Sequence, residues 1–222
     1  MPKLIRLMPL NIYNRLNIPN KNSPIPQKHG EFIYSFLKMN SIKKTLETGF
    51  GYGCSAAYII SATKSTHIVI DPFEKSQWKN IGLHNIKKLN LSKFLRFEND
   101  FSYNVLPKLL KEGIKIDFAF IDGMHLFDYI MLDFFYIDLL LNNNGYVLFH
   151  DNQLLSTNLI VNWIKKNKLN YTLIKEDSCF VLFKKIKADV RKWDHFIAFY
   201  NCKKEEKTLK EKLRELKARI KV

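Results

Sequence analysis

The chain has 222 residues, 46% hydrophobic and 26% charged, which is enough for one compact domain with a sizeable core and outside the range of disordered chains. Its net charge of +15 invites a nucleic-acid partner, but the basic residues are 30 Lys and only 6 Arg, and specific phosphate and base recognition favours the bidentate fork of Arg. The excess gathers at the two ends, residues 1–30 and 203–222, where runs of charge read more readily as solvated faces.

Nothing predicts a membrane span. The most apolar region, Phe118 to Leu141, is interrupted by Asp122, Asp128, Asp133 and Asp138. A secretory leader is not expected, because Lys3, Arg6 and Pro9 cut the apolar start. The odd set Cys54, Cys179 and Cys202, without a CxxC pair, points to a reducing cytoplasm rather than a disulfide or zinc framework.

Residues 1–25, with four prolines, read as an extended arm. A helix is predicted over 27–39, with Phe32, Ile33, Phe36 and Leu37 on one face. Strand and helix patterns then alternate. Strands are predicted at 44–47, 66–70, 95–98, 117–121 and 146–149. Helices are predicted at 55–62, 103–111, 126–141 and 157–166, with a partly helical stretch over 75–89. Asn142-Asn143-Asn144-Gly145 stops the helix before it. Segments 171–175 and 180–184 form a hairpin across Glu176-Asp177-Ser178. Repeated strand-helix units imply an α/β fold, a doubly wound and mostly parallel sheet with helices on both faces and one antiparallel strand at its end. In the tail, Leu209, Leu213, Leu216 and Ile220 step by helical spacing along a charged helix, which suits docking on the domain or a homodimer contact.

The segment Glu47-Thr48-Gly49-Phe50-Gly51-Tyr52-Gly53-Cys54-Ser55 leads from a strand into a helix. Glycines there let the backbone turn sharply and approach a ligand. The spacing G-x-G-x-G departs from the dinucleotide fingerprint G-x-G-x-x-G, which disfavours a nicotinamide-dependent oxidoreductase. The acid before the loop, Glu47, suits a cationic ligand group, and Asp71 at the end of the next strand is placed to accept from a ribose diol.

Asp122 ends the fourth strand, and Asp151 with Asn152 ends the fifth. Strand ends of a doubly wound sheet converge on one crevice, and three oxygen ligands there suit Mg²⁺. His125 and His150 flank the same crevice. His125, in a loop, is favoured as a base, whereas His150 at the end of a buried strand reads as a core histidine. His29 is near enough in the order of elements to join a lid. Asp128, Asp133 and Asp138 read as the outer face of their helix. Trp78, Trp163, Phe134, Phe135 and Tyr136 read as packing residues.

Residues 47–53 resemble the first motif of class I S-adenosylmethionine-dependent methyltransferases. Asp71-Pro72-Phe73 resembles the second, and Asp117 to His125 the fourth, in the form of the small-molecule O-methyltransferases of the catechol and macrolide-sugar types. Leu141 to Asp151 is similar to the strand that follows in that branch. The resemblance spans roughly residues 26–185 and implies a Rossmann-like seven-stranded sheet. The arm and the tail lie outside the resemblance, and the expected domain order is an N-terminal arm and lid helix (1–40), an S-adenosylmethionine-binding core (41–187) and a basic helical extension (188–222). The implied cofactor contacts are Glu47, Gly49, Gly51, Gly53, Ser55, Asp71, Phe73, Asp100 and Asp122. Asp122, Asp151 and Asn152 are the implied Mg²⁺ ligands, and Asp122 and His125 the catalytic pair. The expected reaction is methyl transfer to a hydroxyl of a small molecule, a sugar among the candidates. The alternatives are a nucleic-acid methyltransferase, disfavoured by Ile121-Asp122-Gly123-Met124 where an Asn/Asp-Pro-Pro-Tyr motif would stand, and a non-catalytic binding protein on the same fold.

Overall fold

Short strands whose two faces are both apolar need helices above and below them, and this rule shapes the molecule. The structure, a computed structural model, describes residues 12–21 and 23–199. Its strands are β1 (Thr45–Thr48), β2 (His67–Ile70), β3 (Leu95–Glu98), β4 (Ile116–Ile121), β5 (Leu141–His150), β6 (Tyr171–Glu176) and β7 (Phe180–Lys185). They lie in the order β3-β2-β1-β4-β5-β7-β6, and β7 runs antiparallel to both of its neighbours. The expected seven-stranded, mostly parallel sheet is therefore present.

The helices are α1 (Ile12–Arg15), α2 (Gln27–Met39), α3 (Cys54–Thr63), α4 (Ile81–Lys88), α5 (Ser102–Lys111), α6 (Phe127–Leu140) and α7 (Leu155–Asn167). Two cores result. Phe118, Phe120 and Leu148 pack with Ile33, Leu37 and Ile59 on one face of the sheet. Ala119, Ile121, Val147 and Phe149 alternate to the other face, against Leu106, Phe134 and Ile160. Helix α2 of the N-terminal segment lies close against α3, where a Cβ on Gly30 would stand 2.3 Å from the Tyr58 ring. The segment before β1 is thus joined to the core by tight packing.

Several expectations needed correction. The Asn142–Gly145 stretch does stop α6, but it belongs to β5 as an irregular lead-in, with Asn144 left-handed (φ 66°) and Asn142 donating to Asp117 at 2.9 Å. Asp138 is not an outer residue: it is buried and paired with Lys168 and Lys185, and accepts from the Tyr171 hydroxyl at 2.7 Å. Asp133 is also buried, at 2% exposure, while Phe135 is 55% exposed and not core. Residues 188–199 form no helix. They are held by Asp189 against Lys168 and Arg191, and by Asn167 donating to the Ile197 carbonyl. The heptad-like tail lies outside the described residues. No described helix is long and apolar enough to cross a membrane.

Candidate active site

The carboxyl ends of β1, β2, β4 and β5 open into a cleft of about 750 Å³. It sits where the strand order reverses at β1, the place where doubly wound sheets bind ligands. The glycine loop forms one wall. At Gly49 (φ +87°) a Cβ would lie 2.3 Å from the Asp122 carbonyl oxygen, so β1 and β4 approach there only through a glycine. Gly51 and Ser55 also face the cleft.

Asp71 organises this wall. One carboxylate oxygen accepts from the Phe50 N–H at 2.8 Å and the Gly51 N–H at 3.2 Å; the other accepts from the Phe73 N–H at 2.7 Å. The side chain expected at the ribose therefore also shapes the loop, and it faces the cleft together with Phe73. The Phe73 ring meets Phe101 edge-on, with centroids 5.7 Å apart.

Three of the expected cofactor contacts are not on the cleft wall. Glu47 is fully buried, with His67 Nε2 3.3 Å away. Burial pushes its carboxyl up, against the pull of His67. Gly53 begins α3 and packs against the Phe50 ring and the Gly82 carbonyl. Asp100 turns to its own helix, accepting from the Phe101 N–H at 2.7 Å and from Asn104 at 3.0 Å.

The opposite wall carries charge. Asp122, His125, His150 and Asp151 converge there from the ends of β4 and β5. His125 Nε2 is 2.8 Å from Asp151 and 3.8 Å from Asp122. His150 Nδ1 is 3.3 Å from an oxygen of each, and its Nε2 meets Nδ1 of His29, on α2, at 3.1 Å. Asp151 itself is left-handed (φ 55°), a conformation that Asp tolerates better than most residues.

Bonding to Asp122 and Asp151 lifts His125 to about 9. Burial works to lower His150, but the same two carboxylates outweigh it and lift that ring to about 10. In return the two imidazoles hold Asp151 well below the usual carboxylate range. Burial and the neighbouring His150 push His29 down. His150 is therefore a member of the cluster, and the reading of it as a bystander in the core does not hold.

The oxygen trio expected for Mg²⁺ does not assemble. Asn152 is buried and points to the β6–β7 turn, donating to the Asp177 carbonyl at 3.2 Å. The third donor beside Asp122 and Asp151 is the His125 nitrogen. Mg²⁺ takes oxygen ligands in near-ideal octahedral geometry, so two carboxylates already paired with imidazoles fit it poorly.

His29, expected as part of a lid, lines the cleft, and so do Tyr52, Trp78 and Asp133, to which the sequence reading gave no contact role. Tyr52 and Trp78 meet edge-on, 5.2 Å between centroids. Asp133 had a usable signal, because it falls with Ile130, Phe134 and Ile137 on the apolar stripe of α6. A carboxylate on such a stripe either has a partner or faces a site.

Residues 46–152 match the family model described as a methyltransferase domain. No curated protein matches the sequence. Among solved structures, the chain is similar to the tomaymycin-synthesis O-methyltransferase of Streptomyces achromogenes in complex with SAM (12% identity, 83% of this chain and 89% of that one, TM-score 0.63). It is also similar to an O-methyltransferase of Bacillus cereus in complex with SAH (16% identity, 83% and 91%, TM-score 0.60). A third is an SAH-bound methyltransferase of Podospora anserina (13% identity, 81% and 89%, TM-score 0.65).

Proposed function

We propose that the chain is an S-adenosylmethionine-dependent methyltransferase that acts on a hydroxyl of a small molecule, such as a sugar. The observation that carries the reading is the two-walled cleft. A glycine loop pinned by Asp71 faces a cluster of two carboxylates and two imidazoles across one cavity.

Each wall has a task. The loop and Asp71 bind the nucleoside, and Asp122, at the junction of the walls, offers a carboxylate to the sulfonium. Holding the methyl carbon in line with an acceptor oxygen supplies much of the rate by itself. The oxygen forms its bond to that carbon as the sulfur–carbon bond breaks, and the electron pair stays on sulfur. The hydroxyl proton passes to Nδ1 of His125, the nitrogen that does not donate to Asp151, once that nitrogen is deprotonated. Asp151 orients this ring and His150 stabilises Asp151, so both are positioning residues. His29 closes the network from α2.

The Mg²⁺ expectation has no part in this reading, because Asn152 is engaged elsewhere and proton removal is supplied by an imidazole. The acceptor enters beside α2, between His29, Ile25 and Met124. The test is a thermal-shift comparison. S-adenosylhomocysteine should raise the melting temperature in a concentration-dependent way and NAD should not. The opposite pattern overturns the reading.

A further inference from the structure

The cleft wall carries aromatic side chains and an acid that the mechanism leaves unused. Phe73, Phe101 and Tyr129 line it together with Ser102, Thr48 and Asp133. Asp133 and Tyr129 are four residues apart on α6 and so share one face. The Asp133 residue is 2% exposed, and its Oδ1 takes no hydrogen bond. Burial raises this carboxyl to about 6, and the Ser102 and Thr48 hydroxyls temper the rise.

A buried carboxylate oxygen that accepts no hydrogen bond costs stability. On a cleft wall that also carries these aromatic rings, Oδ1 is free to accept an N–H supplied by a ligand. The acid that the resemblance assigns to the adenine edge, Asp100, cannot serve as placed, because it lies off the cleft wall and already accepts two N–H groups.

We propose that Asp133 reads the exocyclic amine of the donor's purine ring, with Phe73, Phe101 and Tyr129 forming the slot that holds the ring. This rests on the S-adenosylmethionine reading above and assigns the recognition of its base. It makes Asp133 a specificity-determining residue: an aminopurine offers two N–H donors to the carboxylate, whereas a 6-oxopurine presents a carbonyl oxygen and is repelled.

The test compares binding of S-adenosylhomocysteine and its deaminated analogue, S-inosylhomocysteine, by calorimetry on the full chain at pH 7.5. The wild type should favour the amino form by roughly tenfold to a hundredfold, the scale of losing a hydrogen bond to a charged group. In Asp133→Asn the side-chain amide can donate to the carbonyl, so the preference should collapse to within about threefold or reverse. In Asp100→Asn the wild-type preference should persist. A preference unchanged in Asp133→Asn overturns the proposal while leaving the donor reading intact, as does a preference lost only in Asp100→Asn. Failure of the wild type to bind S-adenosylhomocysteine overturns both.

Discussion

His150 meets His29 nitrogen to nitrogen at 3.1 Å, and this contact ties the helix before β1 to the acid cluster at the end of β5. The two residues are 121 positions apart in the chain. Both are buried, and each sits at an aromatic junction: His29 stands edge-on to Phe180, with centroids 5.1 Å apart. The acceptor side of the cleft is thus fastened from two directions, and the N-terminal helix is part of the site.

Removing that contact should be felt in stability first. His29→Ala leaves His150 Nε2 without its partner in a buried setting. A loss of about 1–3 kcal/mol is expected in urea unfolding. If unfolding is unchanged within experimental error, the contact contributes nothing.

The rate should depend on the neutral form of His125. Its folded value near 9 means that most molecules carry the protonated ring at pH 7. With a fixed acceptor, kcat/KM should rise with pH through about 9. His125→Ala should remove this limb and lower kcat by roughly 100- to 10,000-fold. A flat profile between pH 6 and 9 would exclude His125 as the base.

The same protonation equilibria bear on stability, with the opposite sign. His125 and His150 have folded values above the unfolded value near 6.5. Their contribution is complete below about 6.5 and is lost as pH rises through about 9 to 10. The melting temperature of the ligand-free protein should fall across that window, and Asp151→Asn should flatten the fall. A wild-type melting temperature rising from pH 7 to 10 contradicts the pairing.

Asp133 makes the converse case. A carboxyl raised to about 6 disfavours folding once ionised, so Asp133→Asn should stabilise the free protein above pH 6. The gain is at most about 3 kcal/mol, since each tenfold change in proton affinity is worth about 1.4 kcal/mol. Thermal melts at pH 5 and pH 8 read it directly: a gain at pH 8 that shrinks at pH 5 is expected, and an equal change at both contradicts the raised carboxyl.

Turnover should survive EDTA, because Asn152 points away from the cluster, its Nδ2 donating to the Asp177 carbonyl and its Oδ1, the third oxygen a hard cation would need, accepting from Asn158 at 3.3 Å. Complete loss of activity in EDTA, restored by Mg²⁺, would show that Asn152 swings back to the cluster.

Much of this arrangement was legible in the residues. The alternation of strand and helix, the hairpin across Asp177 and the loop at Gly49 each have a local cause: period, turn chemistry or a backbone angle that only glycine adopts cheaply. The burial of Asp133 was also within reach, since Ile130, Phe134 and Ile137 mark its face of α6. What could not be read was direction. Asp151 and Asn152 are adjacent, and a left-handed Asp151 sends one side chain into the cluster and the other to the next turn. Asp71 and Asp100 both follow strands, yet only Asp71 finds the loop N–H groups that turn it toward the cleft. Such choices depend on partners distant in sequence.

The most direct measurement is a crystal structure of the protein grown with saturating S-adenosylhomocysteine. Density should run along the loop at residues 49–51, with the sulfur toward Asp122 and the purine against the Phe73 and Phe101 rings. An empty loop under those conditions, or a nucleoside lying with its base against the His125–Asp151 pair, would contradict the account.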